Sequence, residues 1–354
     1  MKILYRYIAD TVIINTLIVL LVLLGLFAFF TFFDQMKDVG MGSYTTDKVM
    51  IYVAAQLPGL LYQLMPIAAM LGSIIGLGML ANNNELTVMR ATGISVAKIT
   101  WSLMRVGLFL VAIAMTMGEA VAPLAEQYAQ RLRADALSEN IAFQGDGGMW
   151  ARDNVRFINI RKIGKDGQLG NVYIYEMGDD GRLRELIHAR QAMYQNGKWL
   201  LKDVQKTQIA PEQLSGSYSG ELIWESSLSP ELLGIVQIDP ESMTLWGLKQ
   251  YIDYLRSNGL RSEHYRLVFW NKLMIPVITM VMIFLAIPFV FGSTRSVAMG
   301  QRILVGVLLG IGFHMMNRTL GAVGLAYDLS PLLSATGPAL AFLLLAIILM
   351  RRVY

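Results

Sequence analysis

The sequence predicts an α-helical membrane protein with six transmembrane helices and an all-β domain inserted between the third and the fourth. Three observations carry that prediction. Of 354 residues, 55% are hydrophobic and only 16% charged, with a positive mean hydropathy, a balance that soluble domains of this length do not need. Apolar runs of about 20 residues, enough to cross about 30 Å of hydrocarbon as helix, recur near residues 12–33, 49–80, 99–122, 267–291, 303–323 and 331–350. Between the third and fourth runs the chain switches to short alternating segments divided by turn residues, the pattern of antiparallel strands.

Each element follows from its residues. The first run, Thr11 to Phe33, is almost unbroken Leu, Val, Ile and Phe, as expected of a helix with much of its surface in lipid. It follows Lys2 and Arg6 but exceeds a signal-peptide core and lacks a small-residue cleavage site, so it reads as a retained helix. It ends in FFDQMKDVGMGSY, where Gly40 and Gly42 break the helix. The second run is too long for a perpendicular crossing and holds Pro58 and Pro66, predicting tilt or a kink. Its Gly72 and Gly76 are small residues at spacing four, which allows close helix packing.

A polar island, ANNNELTVMRATGISVAK, joins the second and third runs. Within it, Leu86, Met89 and, past Gly93, Ile94 form an apolar face beside Glu85 and Arg90. That pattern reads as a short surface helix ended by Gly93, at about 84–93. The third run carries Gly118 and Glu119 near its end, and LAEQYAQRLRADALSEN after Pro123 has helical composition. The β segments are MWARD, VRFINIRKI, NVYIYEMG, LIHARQAMYQ, KWLLKDVQK and ELIWESS. Turn signals at Asp166-Gly167, from Gly178 to Gly181 and at Asn196-Gly197 divide them, the last a strong hairpin signal. Leu245, Leu248, Ile252 and Leu255 then mark an amphipathic helix stopped by Gly259. The organisation is residues 1–123 with three helices, 124–262 with the β domain and its flanking helices, and 263–354 with three helices.

Charge bias sets the expected orientation. Lys2, Arg6, Arg90, Lys98, Arg295, Arg302, Arg351 and Arg352 fall on one side, against only Lys37 and Lys48 on the other, the latter diluted by Asp34, Asp38, Asp47 and Asp328. Both termini and the polar island are therefore expected in the cytoplasm, with 124–262 outside.

Catalytic signatures are missing from the sequence. It has no cysteine and no G-x-x-x-x-G-K-[ST], and His188, His264 and His314 fit no metal-binding spacing. No catalytic residue, metal, bound cofactor or nucleic-acid partner is expected, and any driving energy must come from another protein. The island then gains a reason to exist as a docking element for a motor, through Glu85, Leu86, Met89, Arg90 and Gly93. A second group comprises Lys37 with neighbouring Asp34, Arg131, Arg133, Lys272, His314 and Arg318. Charges in or beside membrane spans face a cavity or partner, and such cations suit an amphiphile with anionic head groups. The rivals are a proton-coupled secondary transporter relaying through Glu119, His314 and Arg318, and a membrane scaffold with an adhesion domain.

Taken in order, DQMKDVGMGSY, LGMLANNNELTVMRATGIS, GEAVAP, the β insertion, IDPESMTLWGLKQYIDYLRSNG and YRLVFWNKL resemble the lipopolysaccharide-export permease family LptF/LptG across the whole chain. The first and third pieces are closer to the LptG branch than to the LptF branch. The resemblance implies an inner-membrane ABC exporter in which an LptF-like second permease and an LptB-like ATPase dimer, using ATP and Mg, complete the machine. The external domain would be a β-jelly roll akin to those of LptC and LptA, which pass lipopolysaccharide on through the periplasm. Helices 1 and 5 would line the lipid cavity and meet those of the partner. Carried over by position, Glu85 to Gly93 is the coupling helix with Glu85 as its acidic contact; Lys37 matches a lysine near the lipid phosphates and Arg133 one of a basic pair. This chain departs from that pattern at Thr31, Asp38 and Gln130.

Overall fold

The structure, a computed structural model, describes residues 2–137, 149–153, 155–164, 168–178, 182–195, 197–209, 214–224, 226, 240–292 and 299–351. The turn pair Asp166-Gly167, Asn196, and the loop and terminal cations Arg295 and Arg352 lie outside the described residues. The chain forms two compact units: Met1–Ala134 with Pro240–Leu248 and Glu263–Tyr354, and Asp135–Asp239 with Lys249–Ser262.

In the first unit, α1 spans Lys2–Gln35 and is followed by a 3₁₀ turn at Met36–Asp38. Next come α2 (Thr46–Asn82), the short α3 (Glu85–Ala91) and α4 (Val96–Thr116). A π-helical turn, Met117–Val121, passes α4 directly into α5 (Ala122–Leu137). After the β domain, a 3₁₀ turn at Pro240–Ser242 leads into α6 (Leu245–Ser257), α7 (Glu263–Phe291), α8 (Met299–Ala326) and α9 (Pro331–Met350). Among the described residues six helices are long and apolar enough to cross a membrane. Pro58 and Pro66 are both carried inside the unbroken α2, as transmembrane helices allow when neighbours surround them.

Helix α2 is the centre of this unit. Within its apolar stretch 78% of residues are buried, against 22% for α1 and 17% for α8. Gly72 and Gly76 explain the contact with α1. A Cβ on Gly72 would overlap the backbone of Thr16, and one on Gly76 would sit 3.2 Å from the Val12 Cα. The facing stripe of α1, Ile8, Val12, Thr16 and Leu20, is buried at helical spacing. Helix α8 meets α2 elsewhere, where Gly306 receives Leu71 and Ile74 and Gly310 receives Ile67. At 3.6 residues per turn, these two faces of α2 point roughly 150° apart, so α1 and α8 flank α2 on opposed sides. Helices α7 and α9 complete the packing around Met70, Met282, Leu285, Phe313 and Phe342.

In the second unit six strands, β1 (Met149–Asp153), β2 (Arg156–Ile163), β3 (Leu169–Met177), β4 (Leu183–Gln195), β5 (Lys198–Ile209) and β6 (Leu214–Trp224), form one antiparallel sheet. The strand order, which the residues left open, is sequential from β1 to β6. Strand β6 begins seven residues before ELIWESS: the Ser- and Gly-rich LSGSYSG pairs with β5 from Ile209↔Leu214 onwards. Alternation gives the sheet a buried side, with Ile158, Ile160, Val172, Ile174, Ala189, Leu201 and Val204 almost fully covered. The Tyr254 hydroxyl donates to the Arg152 carbonyl at 2.7 Å. Burial, aided by the charge of Asp153, pushes that phenol up to about 12.

Candidate functional site

The short helix α3 is positioned from both ends. Asn84 enters it in the left-handed region at φ +59° and Gly93 leaves it at φ +87°, the conformation that makes glycine the preferred stop. Leu86 and Met89 point into the protein, sharing a core with Ile8, Val12, Leu80, Val96 and Ile99. They therefore anchor α3 to its own chain. The face left open carries Val88 and Arg90, with Glu85 half-buried at its start. The Glu85 Oε1 accepts from the Asn83 amide at 3.1 Å.

A second cluster sits where α1 ends. Lys37 donates to Asp34 at 2.7 Å with both side chains largely exposed, a pair that holds weakly and can exchange for another anion. Arg133 of α5 pairs with Asp38 at 2.7 Å, and both are about two-thirds covered. Asp38, one of the positions at which this chain departs from the pattern it resembles, is thus its own counter-ion for Arg133. Beneath them, the buried Tyr44 hydroxyl donates to Gln35 at 3.1 Å, and its phenol is raised chiefly by burial. Arg131 is exposed. Gln130 donates weakly to the Tyr52 hydroxyl at 3.4 Å.

The remaining residues of the predicted lipid site separate. Lys272 is not turned outward: it is buried, with its ammonium donating to the Met243 carbonyl. Around it, the Tyr62 hydroxyl donates to the Lys272 carbonyl at 2.9 Å, and the Leu245 amide at the start of α6 donates to Glu119 at 2.8 Å. The π-helical turn brings Glu119 there, and Gly118 within it lets the Tyr62 ring approach where a Cβ would lie 2.6 Å away. His314 and Arg318, by contrast, are exposed one turn apart on α8 beside Ile311 and Met315. A relay from Glu119 to His314 and Arg318 finds no joining contact among the described residues. Sequence reasoning missed Asp38 as partner of Arg133.

Against known proteins, residues 6–352 match the family described as Lipopolysaccharide export system permease LptF/LptG. The chain belongs to the LptF/LptG family. It is 33% identical over 353 residues to the Lipopolysaccharide export system permease protein LptG of Escherichia coli strain K12, covering 99% of this chain and 98% of that one. To the LptG of Haemophilus influenzae it is 35% identical over 314 residues, 88% of each. An LptF/LptG permease is a multi-pass membrane subunit of an export system. Among its described residues this chain has six helices long and apolar enough to cross a membrane and a six-stranded antiparallel sheet between the third and the fourth. Within that family frame, the two most open helices of this chain, α1 and α8, each bear an unpartnered apolar face. On α1 it runs through Ile14, Leu17, Leu21, Phe29 and Phe33, and on α8 through Leu304, Leu308, Ile311 and Met315.

Proposed function

We propose that this chain is the LptG-type membrane subunit of an ABC exporter that takes lipopolysaccharide from the outer leaflet of the inner membrane. The observation that carries the reading is the placement of two apolar, largely uncovered helices on opposed sides of α2. A second permease related by an approximate two-fold axis would lay its own such helices against them, α1 of one against α8 of the other. The two seams would then enclose an apolar chamber for acyl chains. Lys37 and Arg133 at one end of α1, with Arg131, and His314 and Arg318 on α8, would meet the anionic head.

In this reading the partner is LptF-like, and both permeases rest on an LptB-like ATPase dimer, where ATP and Mg are used; this chain holds no cofactor. The termini and α3 face the cytoplasm, and residues 124–262 face the periplasm, handing lipid to LptC-like and LptA-like proteins. ATPase closure pushes Glu85 and the exposed side of α3, and α1 and α8 close on the lipid. The test is coexpression with these partners, detergent extraction and reconstitution into proteoliposomes containing lipopolysaccharide. The expected result is a complex of two permeases and two ATPase chains that releases lipid only with ATP and Mg. A chain that purifies without an ATPase, or moves lipid on a proton gradient alone, would overturn the reading. Glu85→Lys is expected to abolish lipid-stimulated hydrolysis and release together.

A further inference from the structure

We propose that the start of α8 is a binding site for the phosphate of an anionic membrane phospholipid, held by Arg302 and the free N–H groups of the first helical turn. The site goes beyond the exporter reading, and only its leaflet, the cytoplasmic one, rests on the orientation given there. Arg302 is 8% exposed, and among the described residues its Nε and Nη1 have no hydrogen-bond partner. Guanidinium groups stay charged in proteins, and a buried charge without a counter-ion is costly. A side chain in that position calls for an anion. The adjoining chain supplies none, since GSTRSVAMGQR, from Gly292 to Arg302, has no acidic residue. In residues 1–10, 81–98 and 351–354, at the same end of the spans, the acids are Asp10 and Glu85. Asp10 lies 3.8 Å from Arg6, and Glu85 accepts from Asn83.

The geometry brings the cation to the helix start. Side chains on a helix lean toward its N-terminus, and Arg302 shares with Met299 the notch that Gly78 opens in α2. A Cβ on Gly78 would lie 3.1 Å from the Met299 Sδ and 3.7 Å from the Arg302 Nη1. The guanidinium is thus level with Met299, the first residue of α8. There the N–H groups have no intrahelical partner, and the helix dipole favours an anion. Gly300 keeps the approach open, with no atom within 4 Å of where its Cβ would stand. The pliable Met299 side chain is the cover that turns aside. Beyond this turn Leu304, Val305 and Leu308 are exposed. An apolar stripe running on from the phosphate position fits a ligand with acyl chains better than a soluble anion or a carboxylate of another protein.

The experiment uses the full chain with the subunits that copurify, stripped of native lipid in detergent. It is titrated with dioleoylphosphatidylglycerol, dioleoylphosphatidylcholine or inorganic phosphate, with bound lipid counted by native mass spectrometry and stability followed by melting. The parent is expected to retain phosphatidylglycerol and melt higher with it, and to respond to neither of the other two. Arg302→Met is expected to weaken phosphatidylglycerol binding about tenfold, the scale of one lost hydrogen bond to a charged group. Arg302→Lys is expected to weaken it about threefold, because an ammonium lacks the bidentate fork. Without lipid, Arg302→Met should melt no lower than the parent, since an apolar side chain replaces an unpaired buried charge. Melting far below the parent there would mark a structurally paired arginine and overturn the site, as would equal phosphatidylglycerol binding in all three proteins. A response to inorganic phosphate as large as that to phosphatidylglycerol overturns the lipid assignment. Loss of a copurifying ATPase from Arg302→Met with lipid binding unchanged gives the guanidinium to a protein carboxylate and also overturns it.

Discussion

Helices α1 and α8 both lie on α2 and both keep most of their surface uncovered, yet they are seated in opposite ways. In the α1 contact the glycines belong to α2, and the backbone of α1 at Val12 and Thr16 settles against them. In the α8 contact Gly306 and Gly310 of α8 receive the tips of Leu71, Ile74 and Ile67, and Gly78 of α2 meets only the side-chain ends of Met299 and Arg302. Backbone against backbone fixes axial register, because nothing in the contact can rotate away. Side-chain tips against glycine leave rotamer freedom, so α8 can shift by repacking methyl groups. The difference makes α1 the fixed helix on α2 and leaves α8 the adjustable one.

That contrast can be broken with a single methyl group at each seat. In Gly72→Ala the new Cβ meets the Thr16 backbone, which cannot yield without moving α1. Overpacking of that kind costs about 3 kcal/mol, and the permease is expected to melt well below the parent in detergent and to lose export. In Gly306→Ala the new Cβ meets Leu71 and Ile74 methyl groups at 2.7 and 2.9 Å. These can turn aside, so a cost of about 1 kcal/mol is expected, with assembly retained. Equal losses at the two sites would erase the distinction between a fixed and an adjustable helix.

A second pair of substitutions separates seating from lipid contact. Lys272→Met removes a buried ammonium from the Met243 carbonyl and leaves that carbonyl without its donor. A loss of about 2 kcal/mol in stability is expected, with little change in lipopolysaccharide crosslinking. Lys37→Ala is expected to do the reverse, lowering lipid crosslinking about threefold without a measurable change in melting, because an exposed pair with Asp34 contributes little to folding. Crosslinking that falls in Lys272→Met and not in Lys37→Ala would return Lys272 to the lipid site.

The contrast between these two lysines also measures what the residues alone could convey. Length and hydropathy place six helices, because each must satisfy its backbone within the bilayer and so needs one long apolar run. The small helix α3 was legible from Leu86, Met89 and Gly93. What the pattern could not give was the direction of a charged side chain near a helix end. Lys272 and Arg302 look like cations offered to lipid or water, yet both are buried. Lys272 turns inward because the π-helical turn and the start of α6 put Glu119 and Met243 beside it, contacts between residues more than 25 positions apart. Asp38 stayed hidden for a similar reason, since its partner Arg133 is 95 positions away.

The smallest expected effect concerns the cations themselves. At the α1 end each has its own carboxylate, Lys37 with Asp34 and Arg133 with Asp38. On α8 no carboxylate pairs with Arg318 among the described residues. In the proposed binding mode a lipid phosphate would have to displace Asp38 to reach Arg133, whereas it would meet Arg318 without that competition. Asp38→Asn removes the negative charge and keeps an oxygen of the same shape, so Arg133 stays placed but is no longer neutralised. Binding of a phosphorylated lipid A analogue is expected to tighten about twofold to threefold in low salt, and the gain is expected to vanish in high salt, where surface pairs are screened. The same substitution made with Arg133→Ala present should bring no gain. If Asp38→Asn weakens binding instead, Asp38 orients Arg133 for the lipid and does not compete with it, and the α1 end is a prepared site like that on α8.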